Sequence, residues 1–189
     1  MAYIREIITE GNPTLRKVAK KVDPAEIAEP LFQQLLDDMW ETMYDAPGIG
    51  LAAPQIGVSK RIFVVDMQDE VPGRTPLVVI NPKFVRTEGE HVAVEGCLSV
   101  PGMVGDVTRF ETVTLSALDR QGKKFTLEAD GYFAVCLQHE TDHLNGVLYI
   151  DKATNIRPAV TAEELAAAEG AGTEGGARRP SDEAEPVAS

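Results

Sequence analysis

The stretch Gln138-His139-Glu140-Thr141-Asp142-His143-Leu144 carries two histidines four residues apart, with a glutamate directly after the first. On a helix that spacing stacks both imidazoles on one face, one turn apart, where both reach a single metal ion. Glu140 is turned about 100° around the axis from His139. It therefore sits beside the ion without ligating it, placed to take a proton from a water that the ion activates. The pattern uses two of the chain's 3 histidines, and it follows the apolar run Tyr132-Phe133-Ala134-Val135-Cys136-Leu137, the mark of a helix that enters the core. Histidines on a buried helix need polar partners. A metal serves both at once.

Two histidines leave such an ion short of a ligand, because catalytic sites of this kind take three protein donors and keep one position open. Cys136 shares a helix face with His139 and His143, but it lies about 10 Å from His143 along the axis. Bonds of about 2.0–2.3 Å cannot span that. Cys136 reads as a buried thiol on a wall beside the site. Cys97 lies in Glu95-Gly96-Cys97-Leu98-Ser99, just before the rigid turn Val100-Pro101-Gly102, and would approach the helix from another element. Its thiolate is the third donor of choice. His91, among Glu88, Gly89 and Glu90, reads as solvated. No histidine follows His143, so the longer metalloprotease signature is absent.

The elements that must position these groups are legible from periodicity. Asn12 followed by Pro13 opens a short helix. Leu31, Phe32, Leu35, Leu36, Met39, Trp40 and Met43 recur at helical spacing, which predicts a helix over 30–44 with a wide core-facing stripe. Residues 48–57 are small and apolar and read as a close-packed loop presenting Gln55. The runs 61–66 and 77–80 are strands, separated by a polar loop containing Pro72-Gly73. Residues 107–118 and 123–128 read as a hairpin around Asp119-Arg120-Gln121-Gly122. The motif helix is expected from about Asp130-Gly131 to Asn145-Gly146, where glycine terminates it. The expected class is α+β, with antiparallel or mixed sheets packed around the central His-Glu-x-x-His helix and helices near the N-terminus.

Length and composition suit one domain with a sizeable core over 1–160. They add an acidic Ala/Glu/Gly-rich tail over 161–189, expected to be largely disordered apart from a short helix near 163–169. A net charge of −12 excludes non-specific attachment to nucleic acid or anionic membranes. No apolar run approaches the roughly 20 residues of a membrane span. The N-terminus also lacks the basic and apolar regions of a signal peptide. A cytoplasmic chain with two unpaired cysteines is expected.

Gly48-Ile49-Gly50-Leu51-Ala52-Ala53-Pro54-Gln55-Ile56-Gly57, Glu95-Gly96-Cys97-Leu98-Ser99 and Gln138-His139-Glu140-Thr141-Asp142-His143-Leu144 together resemble the three signature motifs of the peptide deformylases, in the family's order. The resemblance covers roughly residues 3–151. It implies Cys97, His139 and His143 as metal ligands and Glu140 as the acid/base. It further implies the Leu98 N–H and the Gln55 amide as oxyanion donors, Gly50 as a contact for substrate backbone, and Ile49, Val135 and Cys136 as the pocket for a methionine side chain. The reaction implied is hydrolysis of the formyl group from the N-terminal formyl-methionine of nascent polypeptides, with transient association with ribosomes. Ferrous iron is the metal implied, with zinc, nickel or cobalt able to substitute; the ligand chemistry alone points to zinc. This chain departs from the family at Thr141, where an apolar residue is common, and at Val104, where a long side chain is common. Its C-terminal extension lacks the basic helix that some members use at the ribosome. The competing readings are a zinc peptidase built on the same helix and a non-catalytic metal-binding module.

Overall fold

The computed structural model describes residues 2–46, 48–67 and 75–159. The tail from 161, the short helix expected in it, and the Pro72-Gly73 loop lie outside the described residues. Two α-helices, α1 (Pro30–Asp45) and α2 (Gly131–Leu144), accompany eight strands: β1 (Gly50–Ala52), β2 (Ile62–Val65), β3 (Leu77–Glu88), β4 (His91–Cys97), β5 (Val100–Arg109), β6 (Thr112–Leu118), β7 (Lys124–Asp130) and β8 (Thr154–Pro158). A five-stranded sheet runs β1-β2-β3-β6-β7 and a three-stranded one β4-β5-β8. Every strand pair in both is antiparallel, as the α+β reading requires.

Strand β2 is buried along its whole length because it is covered on both faces. Ile62 and Val64 pack with Leu36, Met39 and Met43 of α1, whereas Phe63 and Val65 pack with Phe133, Ala134 and Leu137 of α2. The large sheet therefore separates two apolar layers, and α2 lies against the side facing the motif.

Several expectations are corrected. Residues 48–57 are not a loop: β1 pairs with β2, and Ala53–Ile56 form a 3-10 turn. The first strand of the hairpin does not run over 107–118 but divides between β5 and β6 at Phe110-Glu111. The cause is Gln138, whose side-chain amide accepts from Phe110 N–H at 3.0 Å and donates to Phe110 C=O at 2.9 Å, taking both groups out of a ladder. Strand β3 continues past Asn81-Pro82, because the register shifts there and Asn81 adopts φ 53. Its side chain meanwhile pairs with both backbone groups of Val22, and a bulge spares the ladder the N–H that proline lacks. Cys97 is the last residue of β4. The N-terminal helical pieces are 3-10 turns at Pro13–Arg16 and Pro24–Glu26.

Within α1, Leu31 is 84% exposed, since the stripe that reaches the sheet starts at Phe32. Trp40 is only half-buried and stacks on Tyr44 at 5.7 Å. The polar flank of α1 is covered by the N-terminal segment instead. Asp38, fully buried, accepts from Tyr3 N–H, the Arg5 guanidinium and Gln34. Thr42 Oγ1 accepts from Arg5 N–H at 2.8 Å.

Helix α2 starts without a gap after β7: Gly131, at φ 52, makes the corner. It stops in a closed terminus, with Gly146 N–H donating to His143 C=O at 3.2 Å and Val147 N–H to Asp142 C=O at 3.0 Å. Gly146 has φ 73, and a Cβ there would lie 2.7 Å from the Arg16 backbone, so only glycine fits.

Burial alone would raise the Asp38 pKa, but the Tyr3, Arg5 and Gln34 donors outweigh it and hold the carboxylate below its ordinary value. Its contribution to stability is therefore present near neutrality and lost as pH falls below about 4. Asp38→Asn is expected to lower the unfolding free energy by about 1.5–3 kcal/mol at pH 7. Denaturant titrations should show that difference shrinking toward pH 3.

Candidate functional site

Cys97 at the end of β4 and His139 and His143 on α2 converge on one point. Their donor atoms lie within 4.8 Å of one another. His143 Nε2 is 3.2 Å from His139 Nε2 and 3.3 Å from Cys97 Sγ. Donors bonded to one tetrahedral ion at about 2.0–2.3 Å sit roughly 3.3–3.7 Å apart. The protein thus already has nearly the spacing that one ion demands. A mixed nitrogen–sulfur set of this kind suits a borderline-soft divalent metal.

Outer partners fix the geometry. His139 Nδ1 pairs with Glu95 Oε2 at 2.8 Å, which fixes the orientation of the ring and turns Nε2 toward His143 and Cys97. Glu95 lies two residues before Cys97, hence on the same face of β4. The Arg109 guanidinium, from β5, binds Glu95 through Nε at 2.6 Å and Nη2 at 2.9 Å, and reaches Asp142 of α2 through Nη1 at 2.6 Å. Lys152 Nζ closes the far side of Asp142 at 2.7 Å. The Tyr149 ring stacks on His139 at 6.3 Å, and its buried hydroxyl has no partner.

The charges of the cluster favour a cation. Burial pulls the His139 pKa down, but the Cys97 and Glu95 hydrogen bonds and the charge of Glu140 push it up to about 10. Burial and the positive charge of His139 hold His143 well below its ordinary value. One positive charge is thus retained where the donors meet. Burial raises Glu140 to about 7, against the pull of His139 and with the push of Glu95. Its Oε2 is buried and unpartnered. A carboxyl that titrates near neutrality can both accept and return a proton.

Gly50 explains how Glu140 gets there. A Cβ on Gly50 would lie 2.5 Å from Glu140 Oε1, so the carboxylate is accommodated only against a bare backbone. Gln55 Oε1 accepts from Ala52 N–H at 2.8 Å, which turns Nε2 outward to Ser99 Oγ at 3.2 Å and Cys97 Sγ at 3.6 Å. Leu98 is half-buried in the β4–β5 turn directly after Cys97, over Gly48. Ile49 and Cys136 belong to the same apolar cluster, and Val135 is buried on α2. Thr141 is accommodated by bonding its hydroxyl to Leu137 C=O at 2.7 Å. His91 lies at the other end of β4 from Cys97 and is half-buried, with its Nδ1 out of reach of solvent.

Sequence reasoning missed Glu95, Ser99, Arg109, Asp142 and Tyr149. Glu95 had a signal, its position two residues from Cys97 on a strand; Arg109 had none. Glu95→Gln removes the charge that orients His139 and is expected to weaken metal binding about 10–100-fold. Competition with a chelator measures this, and unchanged affinity would remove Glu95 from the site.

The family model for polypeptide deformylase matches residues 4–159. Among curated relatives, a peptide deformylase of Symbiobacterium thermophilum is 56% identical over 156 residues, 82% of this chain and 69% of that protein. Among solved structures, a peptide deformylase from Legionella pneumophila superposes with a TM-score of 0.74 at 44% identity, covering 88% of this chain and 92% of that one. A class I type b peptide deformylase from Acinetobacter baumannii bound to Met-Ala-Ser gives 0.76 at 33% identity, covering 80% and 99%. With a signature carried by converging side chains and a match across nearly all of the described residues, this chain belongs to the polypeptide deformylase family.

Proposed function

We propose that the chain removes the formyl group from the N-terminal formyl-methionine of newly made polypeptides, releasing formate and a free amine. The observation that carries this reading is Glu140, buried with its Oε2 unpartnered, lying against Gly50 beside the Cys97, His139 and His143 donors. A non-catalytic metal module would leave that carboxyl without work.

Cys97, His139 and His143 are the residues that would hold the metal, which when bound supplies a Lewis acid and a more acidic water. Glu140 accepts the proton of the attacking water. The new C–O bond forms at the formyl carbon, and the Gln55 amide and the Leu98 N–H donate to the oxygen that gains charge. Glu140 then returns the proton to the amine nitrogen as the C–N bond breaks. Gly50, on the edge strand β1, meets the substrate backbone, while Ile49, Val135 and Cys136 enclose the methionine side chain. The Met-Ala-Ser bound to the Acinetobacter baumannii relative has the chemistry of such a product.

We assign ferrous iron as the resident ion, with zinc, nickel or cobalt as substitutes. Residues 1–160 form the catalytic domain, and 161–189 an acidic tail outside it. The cytoplasm is the compartment, a reading supported by two cysteines that form no disulfide; no helix among the described residues is long and apolar enough to cross a membrane. Nascent chains as substrates bring transient contact with ribosomes.

Anaerobically purified protein is expected to release formate from formyl-Met-Ala-Ser with one divalent metal per chain, whereas a metal-loaded protein that releases none would overturn the activity. Glu140→Gln should keep its metal and lose nearly all turnover. The acid limb of kcat/KM that Glu140 sets in the unsubstituted chain should vanish from its residual rate. Gln55→Ala should cost about two to three orders of magnitude in turnover with metal retained. A loss under about fivefold would deny Gln55 its role.

A further inference from the structure

The N-terminal segment touches all three site-bearing elements through its backbone. Ile8 N–H donates to Gln55 C=O at 2.8 Å, and Glu10 N–H donates to Ser99 C=O at 2.8 Å. Further on, Ala19 N–H donates to Leu144 C=O at 2.9 Å, one residue after His143. The outer end is tied to α1 by Tyr3 and Arg5 on the buried Asp38.

The two ties at residues 8 and 10 bridge elements that no ladder joins. Gln55 follows β1 of the five-stranded sheet, Ser99 sits in the β4–β5 turn of the three-stranded one, and no named strand of either sheet pairs with the other. The direct contacts of Gln55 with that turn and the end of β4 are made by its side chain, 3.2 Å to Ser99 Oγ and 3.6 Å to Cys97 Sγ. The segment turns just beyond, where Asn12 N–H donates to Thr9 C=O at 3.1 Å. Residues 8 and 10 grip one carbonyl on each side of the gap. The spacing of Cys97 from the histidines has a separate origin, the Glu95 and Arg109 side chains. The two sets of ties share no residue.

We infer that Ile8–Glu10 is a positioning strap: the N–H groups of Ile8 and Glu10 set the separation between the Gln55 amide and the Cys97 turn, and so aim the oxyanion donor without touching substrate. This rests on the role proposed above for Gln55. A strap of this kind acts on turnover through Gln55 and leaves the metal ligands in place. A merely structural segment would change the melting temperature and not the chemistry of the folded molecules.

Glu10→Pro deletes the N–H toward Ser99, and Glu10→Ala, which keeps it, is the reference. With metal-loaded full-length protein and formyl-Met-Ala-Ser, Glu10→Pro is expected to lower kcat about tenfold or more against Glu10→Ala. KM should stay within about threefold and the metal per chain should be unchanged. In a Gln55→Ala background the same change should cost less than about threefold, because the donor it aims is gone. Equal losses in both backgrounds, or a lower Tm with kcat per folded molecule intact, overturn the strap. If Gln55→Ala alone leaves turnover whole, the assignment of Gln55 fails and the strap with it; if the unsubstituted chain releases no formate, the activity itself fails. Should Glu10→Pro not fold, Ile8→Pro against Ile8→Ala removes the Gln55 end of the strap and is read by the same cycle.

Discussion

A single buried guanidinium sets what the rest of the site can be. Arg109 is only 4% exposed and holds Glu95 on one strand and Asp142 on the helix. Breaking a buried pair by removing one partner typically costs about 3–5 kcal/mol, because the other charge is stranded. The arrangement is stable only as a unit. Glu95 in turn orients His139, while Asp142 lies on the same helix as both histidines and is held on its far side by Lys152. Orientation of the inward-facing His139 nitrogen therefore passes through two charges, Glu95 and Arg109, that are themselves buried.

The electrostatics follow from burial among these charges. Two histidines with nitrogens facing each other cannot both be protonated. Glu95 and Cys97 favour the charged form of His139, while burial and that charge disfavour it at His143. A group of donors that keeps one positive charge in a buried spot is already arranged for a cation. Glu140 stands just outside this balance. Burial raises its pKa and the charge of His139 limits the rise, which leaves a carboxyl poised near neutrality. Its position depends on an absence: at Gly50 there is no Cβ to occupy the space that the carboxylate needs.

Side chains and backbone divide the work of assembly. Ionic side chains tie β4 and β5 to α2 and set the donor spacing. Backbone hydrogen bonds from the N-terminal segment tie the 3-10 turn, the β4–β5 turn and the end of α2 to one another. That segment is anchored on Asp38 of α1, so a helix remote from the donors is linked to the site through chain rather than through packing.

The local parts of this design are written in residue spacing. A four-residue interval stacks His139 and His143, and glycines with positive φ mark where α2 begins and ends. The apolar periods identify α1, β2 and the β6–β7 hairpin, and Cys97 stands out by elimination. Helix and strand have fixed periods, so such features are settled within a few residues. What depended on the folded chain was everything that joins distant segments. Arg109 looked like one more strand residue until β5 paired with β4 and α2 packed beside them. The break at Phe110 required an amide from Gln138 that no local pattern announces. Leu31 fitted the apolar stripe and yet faces solvent, because the face of α1 that meets the core begins at Phe32. Residues 8 and 10 have no motif, since what they contribute is backbone N–H, which nearly every residue possesses. Their role comes from lying between Gln55 and Ser99, and only the closed fold puts them there.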